Sequence, residues 1–268
     1  MKSIIIIQLK AIFTKKVTLS LFIFSLFLAV LQALRLRQYF LIYELEGNSL
    51  DFLFFTIGGW QSPLSFSFFL GWLLFIIIPL CLSILSSTSI DELSLFILNR
   101  IQKRMNLWVA NCIVQLLLCS IYFILIAVIH VVVGYLFFNF KWEFSLYSLE
   151  FYKDWVESKI PIEQILFSIS LIFLSGLYSL FMFMQAFLLL PLSKTSVYIS
   201  FILITITTSI AYIYADLPKI FSPLFYPSTL SVSANIKALW FALGVNIGIL
   251  FVSMIGGTIL YRKKEFNN

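Results

Sequence analysis

Six stretches of this chain, residues 17–34, 64–90, 105–140, 164–193, 195–215 and 238–261, contain no Asp, Glu, Lys or Arg. A helix needs about 20 consecutive apolar residues to cross a bilayer, so each stretch is long enough to be a span. The third exceeds one upright crossing; a span over 106–138 that tilts or projects beyond the lipid accommodates it. Composition excludes the soluble alternative: of 268 residues, 61% are hydrophobic and 11% charged. The expected fold is an all-α integral membrane protein, one transmembrane domain over 1–268 with six transmembrane helices.

The net charge of +6 does not point to nucleic acid, because the basic residues flank the apolar runs and form no basic face with interleaved aromatics. They read better as topology signals. Lys2, Lys10, Lys15, Lys16, Arg100, Lys103, Arg104, Lys194, Arg262, Lys263 and Lys264 fall on one side of the six crossings. Arg35, Arg37, Lys141, Lys153, Lys159, Lys219 and Lys237 fall on the other. Cytoplasmic connections carry the excess of Lys and Arg, which predicts cytoplasmic N and C termini in a bacterial cell membrane. No A-x-A-type site follows Leu34, so the first span is expected to be retained.

The connections have character of their own. Residues 1–16 place Ile5, Leu9, Ile12 and Phe13 on one arc among lysines, predicting an interfacial helix before the first span. On the opposite side, 35–63 contains the apolar stretch 52–57, and 140–163 mixes Trp142, Tyr147, Tyr152 and Trp155 with acids, predicting an amphipathic cap. Residues 216–237 hold Pro218, Pro223 and Pro227; a continuous helix is excluded there, and a broken, re-entrant segment is expected.

Catalytic signals are missing from the sequence. One histidine cannot supply HExxH zinc chemistry, and the ten glycines form no GxxxxGK[ST], so this chain holds no ATP by a P-loop. Cys81, Cys112 and Cys119 lie in apolar runs without CxxC spacing and read as buried small apolar residues. No catalytic or metal-binding residue is assigned. His130 has two readings, an interfacial or hydrogen-bonded structural histidine and a proton relay.

The segment 86–108 is more informative. Ser89 can cap a helix with Asp91 and Glu92 in its first turn and Arg100, Lys103 and Arg104 at its end, the order the helix dipole favours. Its Leu95, Phe96 and Leu98 need a cover, supplied either by lipid or by a docked cytosolic protein. The last run carries Gly244, Gly248 and Gly256 near one face, with Gly257 beside them, for helix packing within the subunit or for a dimer seam. Polar residues inside the runs are few: Gln32, Asn111, Gln115, Gln185 and Asn246. Asn111, Gln115, Met184 and Gln185 are the candidates for lining a substrate pathway, and the lack of intramembrane charge argues against ion coupling.

This layout resembles the six-span permease subunits of type 2 ATP-binding-cassette exporters that lack a fused ATPase domain. The features that carry the resemblance are the basic interfacial N-terminal helix, the acidic-start helix between spans two and three, the broken segment before span six and the basic ending Tyr261 to Phe266. The resemblance implies that Asp91, Glu92, Leu95, Phe96, Arg100 and Lys103 form a cytoplasmic coupling helix. It further implies a second permease, identical or homologous, two cytosolic ATPase subunits carrying ATP and Mg, and broken extracellular helices before span six. The chain departs from the family in having Leu93, Ser94 and Leu95 where a Gly-Thr pair often follows the acid. An uncharged route suits amphipathic or hydrophobic cargo such as antimicrobial peptides, toxins, drugs or lipid-linked compounds. The alternative is a non-transporting sensor or immunity protein that binds peptide at its outer loops.

Overall fold

The computed structural model describes residues 2–58, 66–97, 105–190, 192–214, 226–229 and 234–266, with backbone alone for 66–70, 87–97, 212–214 and 263–266. Among these residues ten helices follow in order: α1 (Lys2–Ile12), α2 (Lys15–Tyr43), α3 (Ser49–Thr56), α4 (Phe66–Ile97), α5 (Met105–Phe137), α6 (Leu146–Phe151), α7 (Lys153–Glu157), α8 (Ile162–Phe187), α9 (Lys194–Tyr214) and α10 (Ile236–Phe266). Among the described residues five helices are long and apolar enough to cross a membrane: α2, α5, α8, α9 and α10. In α4 the apolar part that carries described side chains is Gly71–Ser86. Among the described residues the regular structure is all helical, and the chain is of the multi-pass membrane class.

Several helices outrun the apolar runs that predict them. At 1.5 Å per residue, the 33 residues of α5 extend about 50 Å, against a hydrocarbon thickness of about 30 Å. Helix α2 continues through Arg35 and Arg37, placed by sequence in a connection, and stops at Glu44, which adopts a left-handed φ of 52°. Gly47 follows because Phe40 folds over it: a Cβ there would lie 1.8 Å from the ring. Helix α4 runs unbroken past Ser89 to Ile97, so Ser89 caps no separate helix. The reason is local: 80–97 contains neither Gly nor Pro, and nothing in its backbone stops propagation.

Two ends of the bundle differ. At the cap end, α3 is buried over its whole length and sits beneath α6 and α7, so the aromatic connections form a packed layer. At the α1 end, α1 packs on α4 and α5, burying Ile4, Gln8 and Ile12. Of the expected arc of Ile5, Leu9, Ile12 and Phe13, Ile12 is buried and the other three pack half-buried against the core. The α1 helix rolls toward Ile4 because Leu107 and Ala110 at the start of α5, with Tyr261 of α10, offer Ile4 an apolar seat.

The central core is one continuous cluster from α2, α3, α4, α5 and α8, with Trp72, Phe75, Phe173 and Tyr122 in ring contact at its middle. Cys112 and Cys119 are buried as expected, whereas Cys81 is exposed on the bundle's outer surface. Helices α8 and α10 form the most extensive pair. Against them lies Tyr226–Thr229, in which Tyr226, Ser228 and Thr229 are buried. Gly176 makes room for it: a Cβ there would stand 2.3 Å from the Tyr226 carbonyl carbon.

Candidate functional site

Five polar side chains of the bundle interior converge near the α1 end. Asn111 and Gln115 lie four apart on α5 and therefore share a face. Gln115 Nε2 donates to Asn111 Oδ1 at 3.0 Å and to Ser86 Oγ of α4 at 3.0 Å. Asn111 Nδ2 donates across to Gln185 Oε1 of α8 at 3.1 Å. Gln185 Nε2 donates to the Ser83 hydroxyl and carbonyl of α4, both at 2.9 Å. All five residues are buried. The network joins α4, α5 and α8, and Gln115 Oε1 is its one amide atom with no hydrogen-bond partner.

Three of the four sequence-predicted pathway residues, Asn111, Gln115 and Gln185, are thus brought together, and Met184 is buried beside them in the main core. The group is neutral throughout. Amides and hydroxyls each both donate and accept, so these five groups can satisfy one another without charge.

The glycines separate into two sets. Gly244, Gly248 and Gly256 face open space, with nothing within 4 Å of an added Cβ. Gly257 is the one that packs within the subunit, against the Trp108 indole at 2.2 Å. Trp108 also donates from Nε1 to Thr258 Oγ1 at 3.2 Å and stacks on Tyr261, which binds α10 to the start of α5.

His130 is fully buried, stacked on Phe52 and edge-on to Phe75. Its Nδ1 faces the Ile126 carbonyl at 2.9 Å, an atom that can only accept, so the ring hydrogen belongs on Nδ1. Nε2 lies 3.2 Å from the Gln32 amide of α2, which completes the pairing of the neutral ring when its NH2 group is turned inward. The geometry is that of a hydrogen-bonded structural histidine.

Of the residues expected to form a coupling helix, Asp91, Glu92, Leu95 and Phe96 occupy the last turns of α4; Arg100 and Lys103 lie outside the described residues.

At the cap end the structure holds a group that the sequence reading did not single out. Asp51 is fully buried. Its carboxylate accepts from the Asn48 backbone N–H at 2.6 Å and from the Ser148 hydroxyl of α6. Asn48 returns the bond, accepting from Leu50 and Asp51 N–H, and its Nδ2 donates to the Glu143 carbonyl at 2.7 Å. Burial pushes the Asp51 carboxyl above the ordinary carboxylate range despite the opposing donors Ser148, Ser145 and Asn48. The signal for this group was available in the spacing of Asn48 and Asp51, a polar cap followed three residues later by an acid. Beside it a polar pocket of about 710 Å³ opens, lined among others by Arg37, Glu46, Asn48, Lys141 and Glu143.

The segment before α10 is also clasped. Asn246 Nδ2 donates to the Tyr226 carbonyl at 3.0 Å and to Ser175 Oγ at 3.1 Å, while Ser179 Oγ donates to the Asn246 carbonyl at 2.7 Å. Thr229 N–H reaches the Gly58 carbonyl at 2.9 Å. Asn246 is ten residues into α10, about 15 Å along its axis, so irregular backbone lies inside the bundle with the Tyr226 carbonyl and the Thr229 N–H met by protein.

The fold therefore defines a multi-pass helical membrane protein with a neutral polar network at one end and a hydrogen-bonded cap at the other. Comparison with family models, with curated proteins and with solved structures gives no match.

Proposed function

We propose that this chain is the six-span permease subunit of an ATP-driven exporter of the type 2 ATP-binding-cassette class, with α4 as the sixth span beside the five apolar helices. Both termini are cytoplasmic, and the carried molecule is amphipathic or hydrophobic. The chain pairs with a second permease and with two cytosolic ATPase subunits that bind ATP and Mg. The observation that carries the reading is the packing of basic α1 on α4 and α5 at the end where α4 runs on through Asp91 and Glu92. A push on that end reaches three spans at once through Ser83, Ser86, Asn111, Gln115 and Gln185. The buried Tyr226–Thr229 segment supports it as well, since the resemblance implies a broken element before the last span.

The test is charge reversal at Asp91, Glu92, Arg100 and Lys103 in chain co-purified with the P-loop ATPase that this reading requires. Loss of the complex, or of ATPase stimulation with the complex kept, is expected. If both survive the reversal, the coupling assignment is wrong.

The polar pocket at the cap end favours a second reading, a membrane sensor or immunity protein that binds peptide there. Protection of cells that persists after deletion of the partner ATPase selects this reading over the first.

A further inference from the structure

An apolar groove of about 690 Å³ runs between the start of α2 and the middle of α5. Leu19, Phe22, Leu82, Ile121 and Leu125 are among its walls, and the ring of Tyr122 forms part of its floor. Its polar lining is confined to one end, where Lys15 and Thr18 stand one turn apart. Lys15 is exposed, and Lys10 and Lys16 lie close by in sequence. The first acidic residue of the chain is Glu44, so no carboxylate on α1 or α2 competes for these lysines. From Lys15 to Phe22 the groove follows α2 for about 10 Å, at 1.5 Å per residue.

We propose that this groove binds one acyl chain of an anionic phospholipid, with the Lys15 ammonium holding the phosphate headgroup. The distribution of polarity mirrors that molecule: one cationic end with a hydroxyl, then an apolar trough open to the side along the bundle. A peptide would bring backbone N–H and C=O groups, which the walls beyond Thr18 leave unpaired at high cost. A free phosphate would leave the trough unused. The size falls within the roughly 300–1,000 Å³ of small-molecule sites. A bound chain would contact α2, α4 and α5 near Tyr122, independently of the function proposed above.

The test uses the purified full chain in a mild detergent, with phosphatidylglycerol and phosphatidylethanolamine of matched chains added in equal amounts and retained lipid counted by native mass spectrometry. One Lys near an anionic surface contributes about 1 kcal/mol, so wild-type chain should retain the anionic lipid about fivefold over the zwitterionic one. Lys15→Gln should bring the ratio close to one, and Lys16→Gln should leave most of the preference. Leu125→Trp should lower retention of both lipids; Ile121→Trp fills the same groove if the first variant is not monodisperse and helical. Equal retention of the two lipids by wild type overturns the proposal. So does an unchanged preference in Lys15→Gln, or undiminished retention in a folded groove-filled variant.

Discussion

The hydroxyl of Tyr122 donates to the carbonyl of Phe75 at 2.7 Å, and Phe75 stands four residues before Pro79, the proline inside α4. Proline has no N–H to return to the residue four before it, so it deprives that carbonyl of its helical partner. A side chain from α5 supplies what the α4 backbone lacks. The helix is thereby kept intact at a proline, and α4 is fastened to α5 at the level of the central aromatic cluster.

Tyr122→Phe should therefore destabilise the bundle by about 1–3 kcal/mol, the cost of an unmet buried carbonyl. In a Pro79→Ala background, where the helix can close its own bond, the same substitution should cost clearly less. A double-mutant cycle in detergent, read by thermal or denaturant unfolding, measures the difference. Additive effects contradict this role for Tyr122.

Gly176→Ala tests the clasp on the segment before α10. The new methyl would meet Tyr226 and Pro227 backbone atoms at 2.3–2.5 Å, and backbone cannot swing aside as a side chain can. Hydrogen exchange over 226–229 should rise strongly while α5 exchanges as before. Asn246→Leu should give the same local loosening by a different route, leaving the Tyr226 carbonyl without its donor.

Asp51 makes the cap sensitive to pH. Burial raises its carboxyl above the ordinary carboxylate range, so the folded cap takes up a proton more readily than the unfolded chain does. Stability from this group is greatest below its unfolded pKa and declines as pH rises through the raised folded pKa. Hydrogen exchange of 46–56 and 143–152, corrected for intrinsic rates, should show protection falling over that rise. Asp51→Asn should flatten the dependence; an equally steep profile in the variant excludes Asp51 as its source.

Gln185→Leu should release the Asn111 amide and the Ser83 groups together. Interhelical hydrogen bonds in membrane proteins contribute about 0.6 kcal/mol on average and up to about 1.7, so a loss of about 1–2 kcal/mol is expected. Under the proposed function it should also reduce substrate-stimulated ATP hydrolysis at unchanged complex formation. An effect on stability alone assigns the network to packing.

The helices themselves were legible, because uncharged runs of this length have few alternatives. Their ends were less so: Arg35 and Glu44 show that a span keeps its helix beyond the lipid until a left-handed residue or a steric demand such as Phe40 over Gly47 ends it. Asn111 and Gln185 were visible as polar exceptions, but 74 residues separate them and only packing reveals that they touch. The pairing of Tyr122 with Phe75 left no trace in the chain, since a tyrosine in an apolar run has many uses. On α1 the arc of Ile5, Leu9, Ile12 and Phe13 does meet the core, whereas the burial of Ile4 rests on Leu107, Ala110 and Tyr261, all distant in sequence. Gly244, Gly248 and Gly256 stand out in the chain by their spacing, but Gly257 beside them is the one that meets Trp108.

The most direct measurement of the central claim is ATP hydrolysis by the P-loop ATPase that the proposed function requires, reconstituted in vesicles with and without this chain. The account predicts a stable complex with two ATPase subunits, and hydrolysis that rises with the chain present and again with an amphipathic peptide. Hydrolysis indifferent to the chain, with no complex recovered, would contradict it.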